Sequence, residues 1–357
     1  MEQNRIFGLD LMRAAAIIMV LCSHVLWIYP TTTGSVISLI HWFGYLGVEL
    51  FFVLSGFLIS YILIFEKKAN KTINLKNFLA KRILKIWPLF YAMLLFAFLT
   101  PFILKLFQLS FSNEGYEPNW LLSVLFLENY NIMLTNNSPN VSPLRVMWSL
   151  CIEEHFYIIW GFLFSIIPLN KIKYLIIISI VLASVCRVFY SYFDLPFLDL
   201  FTNIDYFAFG AIPAYVLSFK KEQLILIEKL SYSFKIIICL LTIIAIFGFS
   251  NLNFEWLKFV KPIMYGILFA TILSFVITEQ NSLKIKDTLW ISKLGIYTYG
   301  LYLYHTIIIN LFIKLNRTLE LNWVLISIIS FMLTVFVSVL SYHIFEKQFL
   351  KLKTHFN

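Results

Sequence analysis

The sequence predicts an all-α fold: a polytopic membrane bundle of about ten transmembrane helices, both termini cytoplasmic. Three observations carry that expectation. The 357 residues are 60% hydrophobic and only 13% charged, with a mean hydropathy of +0.83, which a water-soluble domain could not carry without large exposed apolar patches. Apolar runs recur at the length of about 20 residues that a helix needs to cross the hydrocarbon. The basic residues cluster between those runs, in alternate connections.

Taken in order, the runs place spans near 11–29, 42–65, 84–107 and 147–168, then near 172–192, 199–219, 232–252, 257–277, 293–314 and 322–345. The first has a basic start but continues to Tyr29 with Arg13 inside it and has no small-residue cleavage site, so it reads as a retained span. Of the 28 Lys and Arg, six (Lys105, Arg145, Lys258, Lys261, Lys314 and Arg317) fall on one set of connections. Arg13 and Arg187 lie within spans, and the other twenty, from Arg5 onward, fall on the alternate set. The positive-inside rule makes that second set cytoplasmic.

This charge pattern reads as topology rather than nucleic-acid binding, because no stretch is long and polar enough to form a basic face with interleaved aromatic residues. Cys22, Cys151, Cys186 and Cys239 lie in apolar runs without CxxC or His spacing, so they read as small core residues and no metal site is expected. Trp27, Tyr29 and Trp87 are placed as interface anchors. One connection is long, 108–146, on the outer side and rich in Asn, Ser and Pro; a cap over a site is favoured slightly over a plain surface loop. The chain shows no internal repeat, and 1–357 reads as a single transmembrane domain with no fused extracellular domain.

Titratable groups within the spans are costly in hydrocarbon and so mark protein interior or a water-filled cavity. In the first span Arg13 and His24 are eleven residues apart, which puts them on one helix face at about 16 Å, with Asp10 on the same stripe. The topology brings Glu49, Glu153, Asp205 and His305 to the outer half of the bilayer, near the level of His24. A histidine with carboxylates at one depth fits a general-base site. Glu154, adjacent to Glu153, points elsewhere, while His41, His343 and His355 read as packing or interfacial residues. At the cytoplasmic face, Lys81, Arg82 and Lys85 precede Trp87 and Pro88; orientation by charge accounts for part of this cluster, and a phosphate-bearing ligand would want it too.

Several segments, in order and covering nearly the whole chain, resemble the acyltransferase family 3 of bacterial membrane O-acyltransferases. They are GLDLMRAAAIIMVLCSH (8–24), GVELFFVLSGFLIS (47–60), RILKIWP (82–88), WSLCIEEHFY (148–157), LGIYTYGLYLYH (294–305) and YHIFEK (342–347). The resemblance implies transfer of an acyl group, most often acetyl from cytoplasmic acetyl-CoA, to a sugar hydroxyl at the outer side of the bacterial inner membrane. It further implies that Arg13, Arg82 and Lys85 hold the CoA phosphates, His24 is the catalytic histidine and Glu153 its acidic partner; His305, Glu49 and Asp205 are expected toward the acceptor from their depth near His24.

This chain departs from the family pattern at three places. Lys85 stands for the second arginine of an RxxR pair, Asn203 for an arginine before the sixth-span aspartate, and Gln348 for a proline. Expected partners are the acyl-CoA donor, the lipid bilayer and a polysaccharide or lipid-linked glycan; the O-antigen of lipopolysaccharide, capsule, exopolysaccharide, a peptidoglycan sugar and a small glycosylated metabolite all remain open as acceptors, as do acyl groups larger than acetyl. A transporter or flippase using the same buried groups is the rival reading, but it lacks inverted repeats and matching Gly- or Pro-broken spans.

Overall fold

In the computed structural model, residues 8–25, 35–108, 115–250, 252, 254–278, 283–286 and 288–356 are described, without the side chains of 35–43, 250 and 317–319. Arg5, Trp27, Tyr29 and the side chains of His41 and Arg317 lie outside the described residues. The helices run in order: α1 (Leu9–Val25), α2 (Ser35–Asn70), α3 (Leu75–Leu106), the short α4 (Trp120–Val124) and α5 (Glu128–Thr135), α6 (Trp148–Ile166), α7 (Ile172–Tyr192) and α8 (Leu200–Phe219). They continue with α9 (Lys221–Lys229), α10 (Tyr232–Ser250), α11 (Leu257–Val276), the short α12 (Trp290–Leu294), α13 (Thr298–Leu319) and α14 (Trp323–Ser341). A π turn (Tyr342–Glu346), α15 (Lys347–Lys351) and a 3₁₀ segment (Leu352–Phe356) close the chain.

Each of the ten expected spans corresponds to one long helix. Among the described residues, eight helices are long and apolar enough to cross a membrane. The other two are α1, described over 17 residues, and α13, whose apolar run is diluted by Tyr299, Tyr302, Tyr304, His305 and Asn310. These same two helices carry His24 and His305. A helix enclosed by others can hold polar groups that a lipid-facing helix cannot. The rest follows that logic: 72% of the apolar window of α8 is buried, against 17% for α10.

The core is built on α2, which packs against α1, α6, α8 and α11, while α8 also packs against α7. A Cβ on Gly56 would sit 2.1 Å from the Phe207 carbonyl oxygen, and one on Gly210 1.9 Å from that of Val53. Only bare glycines let the two backbones approach so closely, the small-residue packing typical of helices in lipid. Around this contact Phe207 stacks on Phe52 and Phe156, with ring centroids 4.8 and 4.0 Å away.

Helix ends confirm that spans alternate in direction. Lys67, near the end of α2, donates to the carbonyls of Phe164, Ser165 and Ile167 at 2.6, 3.1 and 2.8 Å, satisfying the end of α6. Lys68 donates to Ser218 O at the end of α8. The segment Leu352–Phe356 packs on α3, so the clustered lysines gather at one end of the bundle, called the basic end below.

The long connection is a folded unit in its described part. Tyr116 pairs with the chain around Pro139 through backbone bonds from Tyr116 N to Ser138 O (3.1 Å) and Asn140 N to Tyr116 O (3.0 Å). The buried Glu128 carboxylate accepts from the Tyr116 and Ser123 hydroxyls. Burial and that carboxylate push the Tyr116 phenol well up, which keeps it a donor.

Candidate active site

A cavity of about 410 Å³ opens inside the bundle. Its walls are stripes from five elements: Asp10 and Arg13 on α1, Ser55 on α2, Arg82 and Lys85 on α3, Ser149, Glu153 and Tyr157 on α6, and Thr298, Tyr299 and Tyr302 around α13. The chain end contributes Tyr342, Glu346, Leu350 and Lys353. Arg13 Nη1 lies 2.8 Å from Asp10 Oδ1, the i,i+3 pairing expected on one helix face. Lys85 is accessible because its side chain faces this cavity. The structure thus brings together Arg13, Arg82, Lys85 and Glu153.

Past the cavity's Ser149 and Tyr302 lies a histidine pair. The Ser149 and Tyr302 hydroxyls are 2.6 Å apart, and the tyrosine also donates to Val146 O at 2.8 Å. His305, fully buried, has Nδ1 2.7 Å from Tyr302 O; His24 Nδ1 is 2.9 Å from Val20 O and 3.2 Å from His305 Nε2. A carbonyl only accepts, so each Nδ1 carries the proton in the neutral ring. The Nδ1–H of His24 is then shared with His305 Nε2, and the basic lone pair of His24 resides on its own Nε2. Eleven residues of α1, about 16 Å at 1.5 Å per residue, separate this pair from Arg13.

The structure gives three of the expected site residues their own partners. Glu153 is not hydrogen-bonded to His24: its carboxylate accepts from Ser55 (3.1 Å) and Tyr157 (2.8 Å), facing the cavity. Among the described residues His305 meets the imidazole, because α1 packs directly on α13. Asp205 is locked in a fully buried bidentate pair with Arg187, at 3.1 and 2.6 Å. The arginine that Asn203 replaces in sequence is supplied by the preceding span. Glu49 belongs to that second cluster, among Tyr206, Asp205, Arg187 and Lys261, away from the cavity lining. Glu154 does point elsewhere, accepting from Trp87 Nε1 at 3.2 Å. His343 is exposed, with Tyr297 Oη 3.4 Å from its Nε2.

Sequence reasoning passed over Ser149, Tyr157, Ser55, Tyr302 and Lys353. A signal existed for some of them: Ser149, Glu153 and Tyr157 recur at i, i+4 and i+8, one stripe of α6, and Tyr302 precedes His305 by three on α13. Ser55 carries no such mark in its own helix. Among the described residues no group of three or more His, Cys, Asp or Glu could hold a metal ion.

Fold and site together define a polytopic helical membrane protein with a cation-lined internal cavity leading toward a histidine pair. The chain belongs to the acyltransferase family: the model described as an acyltransferase domain matches residues 6–343. It is similar to the peptidoglycan O-acetyltransferase OatA of Listeria monocytogenes, at 29% identity over 85% of this chain and 49% of that protein. It is also similar to the O-acetyltransferase OatA of Staphylococcus aureus, at 28% identity over 95% of this chain and 56% of that protein. A putative peptidoglycan O-acetyltransferase, YrhL of Bacillus subtilis, matches at 32% identity over 43% of this chain and 23% of that protein. The chain spans about half the length of the first two relatives. No solved structure matches.

Proposed function

We propose that the chain is an O-acetyltransferase of the bacterial cytoplasmic membrane that moves an acetyl group from cytoplasmic acetyl-CoA to a sugar hydroxyl on the outer side. The relatives' names favour a peptidoglycan sugar over the other acceptors. The observation that carries the reading is the arrangement along α1: a cavity lined by Arg13, Arg82 and Lys85 at one end, and His24 about three helical turns further on.

In this reading the cations hold the donor phosphates by charge-assisted hydrogen bonds, and the thioester lies toward the histidines. His24 Nε2 takes the acceptor hydroxyl proton as the oxygen attacks the thioester carbonyl. An ester C–O bond forms, the C–S bond breaks, and the departing thiolate receives the proton from His24. While His24 is an imidazolium, its Nδ1–H strengthens its bond to His305 Nε2, so His305 is a positioning residue and takes the orienting role expected of Glu153. Glu153 in turn balances the cavity cations.

The test supplies radiolabelled acetyl-CoA to membranes containing the protein or its His24→Ala form. Label should enter glycan only with the unaltered chain. Equal labelling by both would remove His24 from the chemistry, and glycan movement without acetylation would favour a transporter.

A further inference from the structure

Arg82, Lys85 and Lys353 line the cavity, yet none makes a hydrogen bond or ion pair with any described residue; the only ion pairs among the described residues are Arg13–Asp10 and Arg187–Asp205. The Arg82 Nε is buried and has no hydrogen-bond partner. The cavity holds four cations, Arg13, Arg82, Lys85 and Lys353, against the three carboxylates of Asp10, Glu153 and Glu346, with Asp10 already paired to Arg13; that formal excess of positive charge suits an anionic ligand. Lys353 comes from the 3₁₀ segment that follows α15, and it lies beyond residue 343, where the family match ends.

Its placement is specific. Tyr342, Glu346, Leu350 and Lys353, at spacings of four, four and three, form one stripe along the chain end, and all four line the cavity. The segment packs on α3, the helix that carries Arg82 and Lys85. The π turn within this stripe is the sort of helix irregularity found at functional sites. Lys353 is half-buried, whereas Lys347 and Lys351 on the same segment are exposed.

We propose that the chain end forms one wall of the donor site, with Lys353 acting beside Arg82 and Lys85 as a phosphate-binding cation for a nucleotide-linked thioester. This rests on the acyl-CoA reading above and extends it to a residue outside the family match.

The experiment measures CoA binding and donor kinetics on the full chain in nanodiscs, with and without anionic phosphatidylglycerol, for the unaltered protein, Lys353→Ala and Lys353→Arg. Loss of one charge-assisted phosphate contact predicts about tenfold weaker CoA binding and a matching rise in donor KM for Lys353→Ala. Unchanged kcat and recovery in Lys353→Arg are expected. S-acetyl-pantetheine, which lacks the phosphates, should be used equally well by all three. Unaltered CoA affinity in a folded Lys353→Ala protein overturns the inference and leaves the acyl-CoA reading standing. An effect only on phosphatidylglycerol-dependent stability, with CoA binding intact, assigns Lys353 to a lipid headgroup and overturns it as well. Absence of CoA binding by the unaltered protein overturns both.

Discussion

At the scale of single residues, the site is governed by which atom carries which proton. Two backbone carbonyls, of Val20 and Tyr302, hold the Nδ1 protons of His24 and His305 and so leave both Nε2 atoms basic. Replacing His305 by Ala removes the acceptor that steadies His24. It should lower kcat about 10- to 100-fold, the usual cost of losing such an orienting partner, with donor KM held; an equal rise in KM would mean that His305 touches the donor. Tyr302→Phe should have a milder effect on the same assay, since it removes the bonds to Ser149 and Val146 but keeps the ring. The Arg187–Asp205 pair is a matter of stability. Arg187→Leu leaves a buried carboxylate without its counter-charge and should cost about 3–5 kcal/mol. The double variant Arg187→Leu/Asp205→Leu should recover much of that loss in thermal unfolding in detergent.

At the scale of elements, helix faces explain most of what converges. On α6 the four-residue spacing of Ser149, Glu153 and Tyr157 turns all three to one cavity wall, and on α1 the same logic aligns Asp10, Arg13 and His24. These stripes were legible, because a helix imposes its period on any sequence. The partner of each stripe was not: that Glu153 would meet Ser55, and His24 would meet His305, depends on how α1, α2, α6 and α13 lie against each other. The α2–α8 contact sets part of that arrangement. Gly56→Val forces a side chain into the Phe207 backbone and should destabilise the fold by about 1–3 kcal/mol or more. The signature is a lower yield of monodisperse protein and a lower unfolding temperature, whereas Gly248→Ala, where a Cβ meets nothing within 4 Å, should change neither.

At the scale of the whole molecule, the basic end collects the ends of α2, α6 and α8 together with the chain terminus. The positive-inside rule predicts that this end faces the cytoplasm. A reporter fused after Asn357 should be active only if of the cytoplasmic kind, and one inserted between Asn136 and Asn137 only if of the external kind; the opposite result would invert the topology and move the donor entrance to the wrong compartment.

The sequence by itself determined the membrane bundle, the ten helices, the histidine and cation positions on α1 and α3, and the family, because hydropathy, charge bias and helical period act locally along the chain. Only the tertiary structure decided that His305 rather than Glu153 meets His24, that Asp205 is closed off by Arg187, and that Lys353 returns to the cavity. Those are contacts between helices distant in sequence, set by packing and by the need to pair or enclose each buried charge, which no local pattern encodes.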